Sequence, residues 1–439
     1  MACSILKNNI SLKIFILAWT PVLINWLILA LESPLINLIL LHYNINQTFI
    51  INFNIAYAFL FLVEAPIIML NMLSISLIDN YYNYTKVLKA ASLIMIATII
   101  FFLGFLYSPL FSHIFSHHHI NGITTNYVHI RKLCFLILAI AIFIGYKRIF
   151  QGILFVNSSY HSILYASITR IFMTIILLIF GLRFLSSKID PDFASIAILS
   201  CVILIEAGLT HLFSIPHIKK LPKLPHYTLS YKKIIYFFYP LSLTSIISLI
   251  TFPILTFYMI LFSDNAAELM DFQLAFSIIV PFRSIPMSLQ EIVVPFLKTG
   301  SHLLSTLKKY FIYIASTVTM ISIIMLIIPT TSYYFFELSH IPKNSFSYIN
   351  ELFCILFLYP LTTFIVIWQR SIHINNHATN IFTLAAIAEL TIVIMSALGL
   401  YFFLYLDMGT SGSLALVLGR CVSILFLWQS TTPKYSYQK

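Results

Sequence analysis

Charged residues are scarce in this 439-residue chain: they make up 9% of it, against 60% hydrophobic residues. So low a charge content excludes a disordered polypeptide and most soluble enzymes. Glycine is also scarce, at 11 residues, and the sequence contains no phosphate-binding loop, nucleophile elbow or zinc-type cysteine spacing. We therefore expect neither a soluble catalytic domain nor a nucleotide-driven motor. The expected protein is not an enzyme and has no cofactor and no metal site.

Long apolar runs occupy most of the chain. The majority exceed the roughly 20 residues that cross a bilayer at about 1.5 Å per residue. Cutting the sequence at its polar clusters predicts 12 membrane spans. The lipid bilayer is therefore the expected environment of the protein.

Lys and Arg outside the spans are distributed unevenly between the two sides of the predicted membrane. The side of the N-terminus carries 14 of them and the opposite side 5. Because cytoplasmic loops are enriched in Lys and Arg, both termini are predicted to be cytoplasmic, in a bacterial inner membrane. Membrane topology thus explains the net charge of +11, and no nucleic-acid partner is expected.

An internal repeat is visible when the sequence is compared with itself at an offset of 219 residues. The aligned pairs are Pro21 and Pro240, Pro34 and Pro253, Phe53 and Phe272, Ala56 and Ala275, Glu64 and Arg283, and Arg170 and Glu389. Repeats with an even number of spans run the same way through the membrane, as in transporters that alternate access between two halves. The predicted fold class is an all-α membrane protein, with 12 transmembrane helices in two pseudo-symmetric six-helix bundles around a central cavity. The bundles comprise residues 1–216 and 234–439, joined by a basic cytoplasmic linker, 217–233.

Polar side chains within the spans are the candidate functional residues, because a charge near the bilayer centre costs several kcal/mol, roughly, unless it faces a cavity or finds a partner. The candidates for substrate binding are Asn25, Lys147, Arg148, Gln151, Arg283, Gln290 and Arg370. The candidates for coupling or gating are Glu32, Glu64, Arg170, Glu291 and Glu389. Asn25 and Glu32, seven residues apart, share one helical face.

Structural roles are the alternative for several of these residues. Glu64 with Arg283, or Arg170 with Glu389, would form ion pairs between the halves, and Arg148 would extend to the membrane surface. Deep cations nevertheless exceed deep anions by one, six against five. A mildly positive cavity favours an anionic or zwitterionic substrate.

Several fragments carry a resemblance to a known superfamily. They are WTPVLINWLILALESPLINLIL, LVEAPIIML, YKRIFQGIL with SITRIF, FFYPLSL, FPILTFYMI, VPFRSIPMSLQEIVVPFL and DMGTSG. They resemble the multidrug/oligosaccharidyl-lipid/polysaccharide exporter superfamily, and within it the progressive ankylosis family and its bacterial relatives. The resemblance implies 12 helices in two bundles, alternating access, and export of anionic metabolites such as pyrophosphate, citrate or nucleotide.

Residue by residue, the resemblance supports cavity positions for Glu32, Glu64, Arg148, Arg283, Glu291 and Arg370. The chain departs from the family in its low glycine content and in Glu389, where an arginine would suit both the repeat and the family better.

The sequence thus predicts a secondary-active exporter of small anionic solutes, coupled to a proton or sodium gradient and monomeric. Two alternatives stay open at this point: a multidrug-type antiporter of organic cations and a flippase of lipid-linked saccharides. In the first, Glu32 and Glu64 would bind the substrate.

Overall fold

The structure is a computed structural model that describes residues 11–43, 45–116, 119–120, 123–124, 127–185, 189–223, 229–262, 266–327, 346–376, 378 and 380–431. α-Helices make up almost all of this part of the chain. The exception is a two-stranded antiparallel pair, β1 (His119–Ile120) and β2 (Ile123–Thr124).

The described residues of the first half of the chain form eight helices. They are α1 (Leu12–His42), α2 (Gln47–Glu64), α3 (Leu70–Leu77), α4 (Tyr81–Leu106), α5 (Pro109–Ser116), α6 (Tyr127–Val156), α7 (Tyr160–Leu185) and α8 (Pro191–Lys219). The described residues of the second half contain a further seven. They are α9 (Tyr231–Phe262), α10 (Ala266–Thr299), α11 (Leu304–Ile327), α12 (Phe346–Leu356), α13 (Leu358–Asn375), α14 (Asn380–Leu404) and α15 (Met408–Thr431).

Ten helical segments of the described chain are long and apolar enough to cross a membrane. The two remaining predicted spans are also helical. The span near 50–78 corresponds to α2 and α3, and the span near 272–297 lies within α10. The chain therefore has the predicted all-α, multi-span membrane fold.

Prolines next to the intramembrane charges affect the two halves differently. In the first half α2 ends at Glu64, and a turn over residues 65–69, which includes Pro66, separates it from α3. In the second half α10 continues through Pro281, Pro286 and Pro295. α10 therefore remains one helix past Arg283, although two prolines lie close to that charge. Each proline removes only one backbone donor, and packed neighbouring helices tolerate that loss.

The offset found in the sequence is also seen in the helices. The starts of α1 and α9 are 219 residues apart, at 12 and 231. Paired repeat positions also share their environment, since Phe53 and Phe272 are both fully buried, as are Ala56 and Ala275. The repeat is thus a property of the elements as well as of single residues.

The chain divides into two compact units, and both divisions fall inside long helices. The N-terminal unit is Ile28–Ile246, and the C-terminal unit is Met1–Leu27 with Ile247–Lys439. These boundaries differ from the predicted bundles, 1–216 and 234–439, which remain a prediction. α1 and α9 each contribute to both units.

In the N-terminal unit α6 packs against α2, α3, α4 and α8. Gly152 permits the closest of these approaches, because a Cβ atom there would lie 2.7 Å from the carbonyl oxygen of Asn71 in α3. The absence of a side chain at this position brings α3 against the part of α6 that carries Arg148 and Gln151.

The C-terminal unit is built around α10, α13 and α15, which pack on one another and on α12 and α14. Its apolar core includes Phe272, Leu352, Phe353, Val393 and Leu416. The first part of α1 belongs to this unit: the indole of Trp19 donates to Ser288 Oγ over 2.8 Å, and Phe15 packs on Phe296.

Candidate functional site

Four charged side chains form a buried cluster in the N-terminal unit, which we call the acid–base cluster: Glu32, Lys147, Arg170 and Glu206. They come from α1, α6, α7 and α8. Arg170 lies at its centre. Its Nε donates to Glu32 Oε1 over 2.7 Å, its Nη2 donates to Glu32 Oε2, and its Nη1 donates to Glu206 Oε2 over 3.1 Å.

The remaining contacts complete the acid–base cluster. Lys147 Nζ donates to Glu206 Oε2 over 2.8 Å, and the hydroxyl of Ser167 donates to Glu206 Oε1 over 3.0 Å. Tyr57 of α2 donates its hydroxyl to Glu32 Oε2 over 3.3 Å. Two cations therefore face two anions, and each is hydrogen-bonded. Charges buried in this way are stable only when paired, so the cluster holds four helices in register.

A second, looser ion pair lies in the same unit. Arg148 Nη2 is 3.8 Å from Glu64 Oε1, and Arg148 Nη1 donates to Gln151 Oε1 over 3.3 Å. Arg148 and Gln151 are buried, whereas the Glu64 side chain is 13% exposed. Because α2 ends at Glu64, this carboxylate lies where the helix gives way to a turn.

The C-terminal unit contains a different arrangement, which we call the arginine cluster: Arg283, Arg370 and Arg420 with Glu389 and Tyr359. Arg420 of α15 lies 3.2 Å from Glu389 of α14, between Nε and Oε1, and its Nη2 donates to the Tyr359 hydroxyl over 2.9 Å. The guanidinium carbons of Arg283 and Arg420 lie 5.4 and 4.8 Å from the centre of the Tyr359 ring. Gly419 brings α15 onto α14 here, since a Cβ atom would lie 3.0 Å from the carbonyl oxygen of Glu389.

Arg370 of α13 has two buried nitrogen atoms without a hydrogen-bond partner in the part of the chain that the structure describes. It is buried, with 7% of its surface exposed, and it interacts electrostatically with Arg283, Arg420 and Glu389. Its Nε and Nη2 atoms have no hydrogen-bond acceptor among the residues that the structure describes. The cluster thus holds three guanidinium groups and one carboxylate. Buried donors of this kind call for a water molecule, an ion or a ligand as acceptor, and a guanidinium group pairs well with carboxylate and phosphate.

The other predicted site residues are also placed by the structure. Asn25 and Gln290 are buried in the C-terminal unit. Glu291 is buried there too, and its Oε2 accepts a 3.0 Å hydrogen bond from the indole of Trp26. The predicted substrate residue Lys147 and the predicted gating residue Arg170 both belong to the acid–base cluster.

Four residues of these clusters are absent from the predicted site. Glu206 and Arg420 interrupt apolar runs in ILIEAGL and LVLGRCV, so the rule that found the other intramembrane charges also points to them. Tyr57 and Tyr359 gave no such signal, because the chain contains 25 tyrosines and most spans include one.

A histidine and two aspartates come together where α6 and α8 begin. His129 Nε2 is 2.7 Å from Asp192 Oδ2, and His129 Nδ1 is 4.0 Å from Asp190 Oδ2. The donor atoms of these three side chains lie within 4.8 Å of one another. Both aspartates lie at the N-terminal end of α8, where carboxylates stabilise a helix. This role and the His129 contact account for the group without a metal ion.

The fold and the two clusters define the class of protein. It is a multi-span membrane protein with buried charged side chains in its membrane-spanning helices. The solved structures compared below share this fold and are transporters. Neither a protein-family profile nor any curated protein matches the sequence.

Three of the solved structures illustrate the likeness. A MOP superfamily transporter from Pyrococcus furiosus is 13% identical and aligns over 98% of this chain and 97% of its own, with a TM-score of 0.71. The MATE transporter ClbM in complex with Rb⁺ is 14% identical, over 97% and 95%, with a TM-score of 0.72. The eukaryotic MATE transporter AtDTX14 is 13% identical, over 95% and 96%, with a TM-score of 0.74. The expected likeness to this superfamily is thus confirmed at the level of the fold.

Proposed function

We propose that this protein is a secondary-active, alternating-access exporter of small organic or phosphorylated anions, of the citrate, pyrophosphate or nucleotide type. A proton or sodium gradient drives it. The protein acts as a monomer in a bacterial inner membrane, with both termini in the cytoplasm. The fold shared with MATE transporters supports the transport function, and the resemblance to the progressive ankylosis family supports the class of substrate.

The main support for an anionic substrate is the buried guanidinium group of Arg370, whose Nε and Nη2 atoms have no hydrogen-bond acceptor among the described residues. A planar guanidinium with two free donors matches a carboxylate or phosphate group, which accepts two parallel hydrogen bonds. Arg283 and Arg420 add positive charge around the same position, and Glu389 offsets only one of the three charges. An oxyanion beside Arg370 would satisfy its donors and lower the repulsion among the three arginines. An organic cation there would raise that repulsion.

The contrast with the acid–base cluster supports the same assignment. Each charge of that cluster already has a partner of opposite sign, so a substrate would have to displace an existing pair. Arg370 offers unused donors at no such cost. We therefore assign the main anion contacts to Arg370 and Arg283, and the holding of helices in register to Lys147 and Arg170.

Arg370→Gln tests the proposal. The purified protein is placed in liposomes loaded with citrate, pyrophosphate or nucleotide, and efflux is followed with and without imposed proton and sodium gradients. We expect the variant to lose at least about tenfold in efflux rate, the equivalent of about 1.4 kcal/mol. Arg370→Lys keeps the charge but not the fork of donors, so it should retain an intermediate rate. Arg183→Gln removes an exposed arginine of α7 and should transport like the unmodified protein.

Stability measurements separate loss of function from loss of structure. Neutralising Arg370 removes a buried charge that is repelled by two neighbours and leaves no acceptor behind. The melting temperature of Arg370→Gln should therefore stay level or rise, by about 1 kcal/mol in free energy of unfolding. A well-folded Arg370→Gln protein that exports every anion at the original rate would contradict the proposal.

The multidrug-type antiporter is the second candidate, and the MATE fold of the solved neighbours is the observation that favours it. In that case none of the anions would leave the liposomes, while cationic dyes would exchange for protons or sodium. Dye exchange that is insensitive to Arg370→Gln and lost in Glu64→Gln would decide for this candidate.

A further inference from the structure

A groove of about 500 Å³ runs between α11 and α13 of the C-terminal unit. One face of α11 and about two turns of α13 line it, with residues three and four positions apart. The lining residues are Lys308, Phe311, Ile312, Ala315, Ser316, Thr319, Met320 and Ile323 from α11, and Leu361, Phe364, Ile365 and Trp368 from α13. Ile312, Met320 and Ile365 are about half exposed or more, so the groove opens to the surroundings of the helices.

The groove is longer than the hydrocarbon part of one bilayer leaflet. Lys308 and Ile323 are 15 residues apart on a straight helix, a rise of roughly 22 Å at about 1.5 Å per residue. Half of the hydrocarbon core is about 15 Å thick. An acyl chain that starts at the lysine end therefore remains in the groove until it reaches the bilayer centre.

The two ends of the groove differ in chemistry. The lysine end has the ammonium group of Lys308 and the indole of Trp368, whose ring packs on Phe311 at 5.2 Å between centres. Among the described residues, no carboxylate lies within 4.0 Å of Lys308. Tryptophan and lysine together are typical of the level at which lipid headgroups lie. Beyond them the lining is apolar, apart from Ser316 and Thr319.

We propose that this groove is a binding site for one anionic phospholipid, with an acyl chain along α11 and α13 and the headgroup phosphate on Lys308. The positive charge of Lys308 favours an anionic over a neutral headgroup, and the length of the groove suits an acyl chain. The site is separate from the arginine cluster, and it stands whether or not the transported substrate is an anion.

Bromolipid quenching of tryptophan fluorescence tests the site in the full-length protein. Quenching is measured in vesicles that contain brominated phosphatidylglycerol or brominated phosphatidylcholine at equal mole fractions. The difference in quenching between the unmodified protein and Trp368→Phe gives the contribution of Trp368. We expect phosphatidylglycerol to quench this component at a several-fold lower mole fraction. Trp428, which is exposed on α15 outside the groove, supplies the control component through Trp428→Phe and should respond to both lipids alike.

Two lysine variants test whether the preference for phosphatidylglycerol over phosphatidylcholine comes from the side chain of Lys308. Lys308→Gln should lower the preference for phosphatidylglycerol about fivefold, the usual contribution of one lysine at a lipid surface. Lys309→Gln is the matched control: Lys309 is the next residue, equally exposed, and lies over the Tyr313 ring outside the groove. Native mass spectrometry of the same proteins should show a retained phosphatidylglycerol adduct that is lost only in Lys308→Gln. Equal quenching by both lipids in the unmodified protein, or equal effects of the two lysine variants, would overturn the proposal.

Discussion

Glu32 and Glu64 were equal candidates for the coupling residue, but their carboxylates are held very differently. Both oxygens of Glu32 accept hydrogen bonds from Arg170, and one also accepts from Tyr57. Glu64 has a single cation nearby, at 3.8 Å, and it is partly exposed at the end of α2. A carboxylate that must gain and lose a proton in each cycle needs weak contacts and access to water. Glu64 meets both conditions, whereas Glu32 meets neither.

The first prediction at this scale is that Glu64→Gln uncouples transport. We expect substrate exchange between the two sides of a liposome to continue, while efflux driven by a pH gradient falls at least about tenfold, or about 1.4 kcal/mol. The measurement compares counterflow with pH-driven efflux in the same preparation. Glu32→Gln is the contrast: it leaves Arg170 with one carboxylate and should lower the free energy of unfolding by about 3–5 kcal/mol. Undiminished pH-driven efflux in Glu64→Gln would rule out this assignment.

Glu389 illustrates what single residues do and do not disclose. Its sequence position, opposite Arg170 in the repeat, suggested an arginine. The structure supplies the reason for the glutamate: Arg420 occupies the next helix, so the pair between α14 and α15 has the reverse polarity of the Arg170–Glu206 pair between α7 and α8. Hydropathy located most of these charges. Which charges form pairs depends on which helices pack against each other. The tertiary structure determines this packing, and hydropathy does not show it.

At the scale of elements, glycines set how closely helices pack around the candidate residues. In a chain with so few glycines, Gly152 and Gly419 lie directly beside Gln151 and Arg420. A Cβ atom at either position would approach a backbone carbonyl of the neighbouring helix to 2.7 or 3.0 Å. Backbone atoms do not move aside as the end of a side chain would. These contacts therefore fix the position of Arg148 and Gln151 along the axis of α3. They fix Arg420 in the same way along the axis of α14.

Gly152→Ala should consequently destabilise the protein by about 1–3 kcal/mol, the usual cost of overpacking. Gly104→Ala is its control, because a Cβ atom at Gly104 has no neighbour within 4 Å. Both glycines lie in long helices, so alanine improves helix propensity equally at each and the difference isolates the clash. Thermal unfolding in detergent gives the comparison. An equal rise in melting temperature for both variants would show that α3 does not pack tightly on α6.

At the scale of the whole molecule, most of the architecture could be predicted from sequence. Apolar runs marked the spans, and the 219-residue offset recurs in the starts of α1 and α9. Sequence did not show that α2 ends at Glu64 while α10 continues past Arg283, since prolines accompany both charges. It also did not show that α1 and α9 are each divided between two units. Both outcomes depend on packing, which hydropathy does not record.

The positions of the loops follow from the number of helices between them. Between Tyr107 and Ser230 lie α5, which at 8 residues is too short to cross a membrane, and three membrane-length helices, α6, α7 and α8. This odd number of spans places the two residues on opposite sides of the membrane. In the orientation proposed from the excess of Lys and Arg, Ser230 lies on the cytoplasmic side. Both residues are exposed and suit cysteine replacement in a variant from which the five native cysteines have been removed.

In right-side-out vesicles we expect an impermeant maleimide to label Tyr107→Cys at once and Ser230→Cys only after the membrane is made permeable. If Ser230→Cys were labelled at once and Tyr107→Cys only after permeabilisation, the number of spans would stand but the orientation would be reversed. Membrane topology would then no longer explain the excess of Lys and Arg. Labelling of both from one side would mean that one of α6, α7 and α8 does not cross. In that case the acid–base cluster would not lie among membrane-spanning helices as described above. Lys147, Arg170 and Glu206 each come from a different one of these three helices.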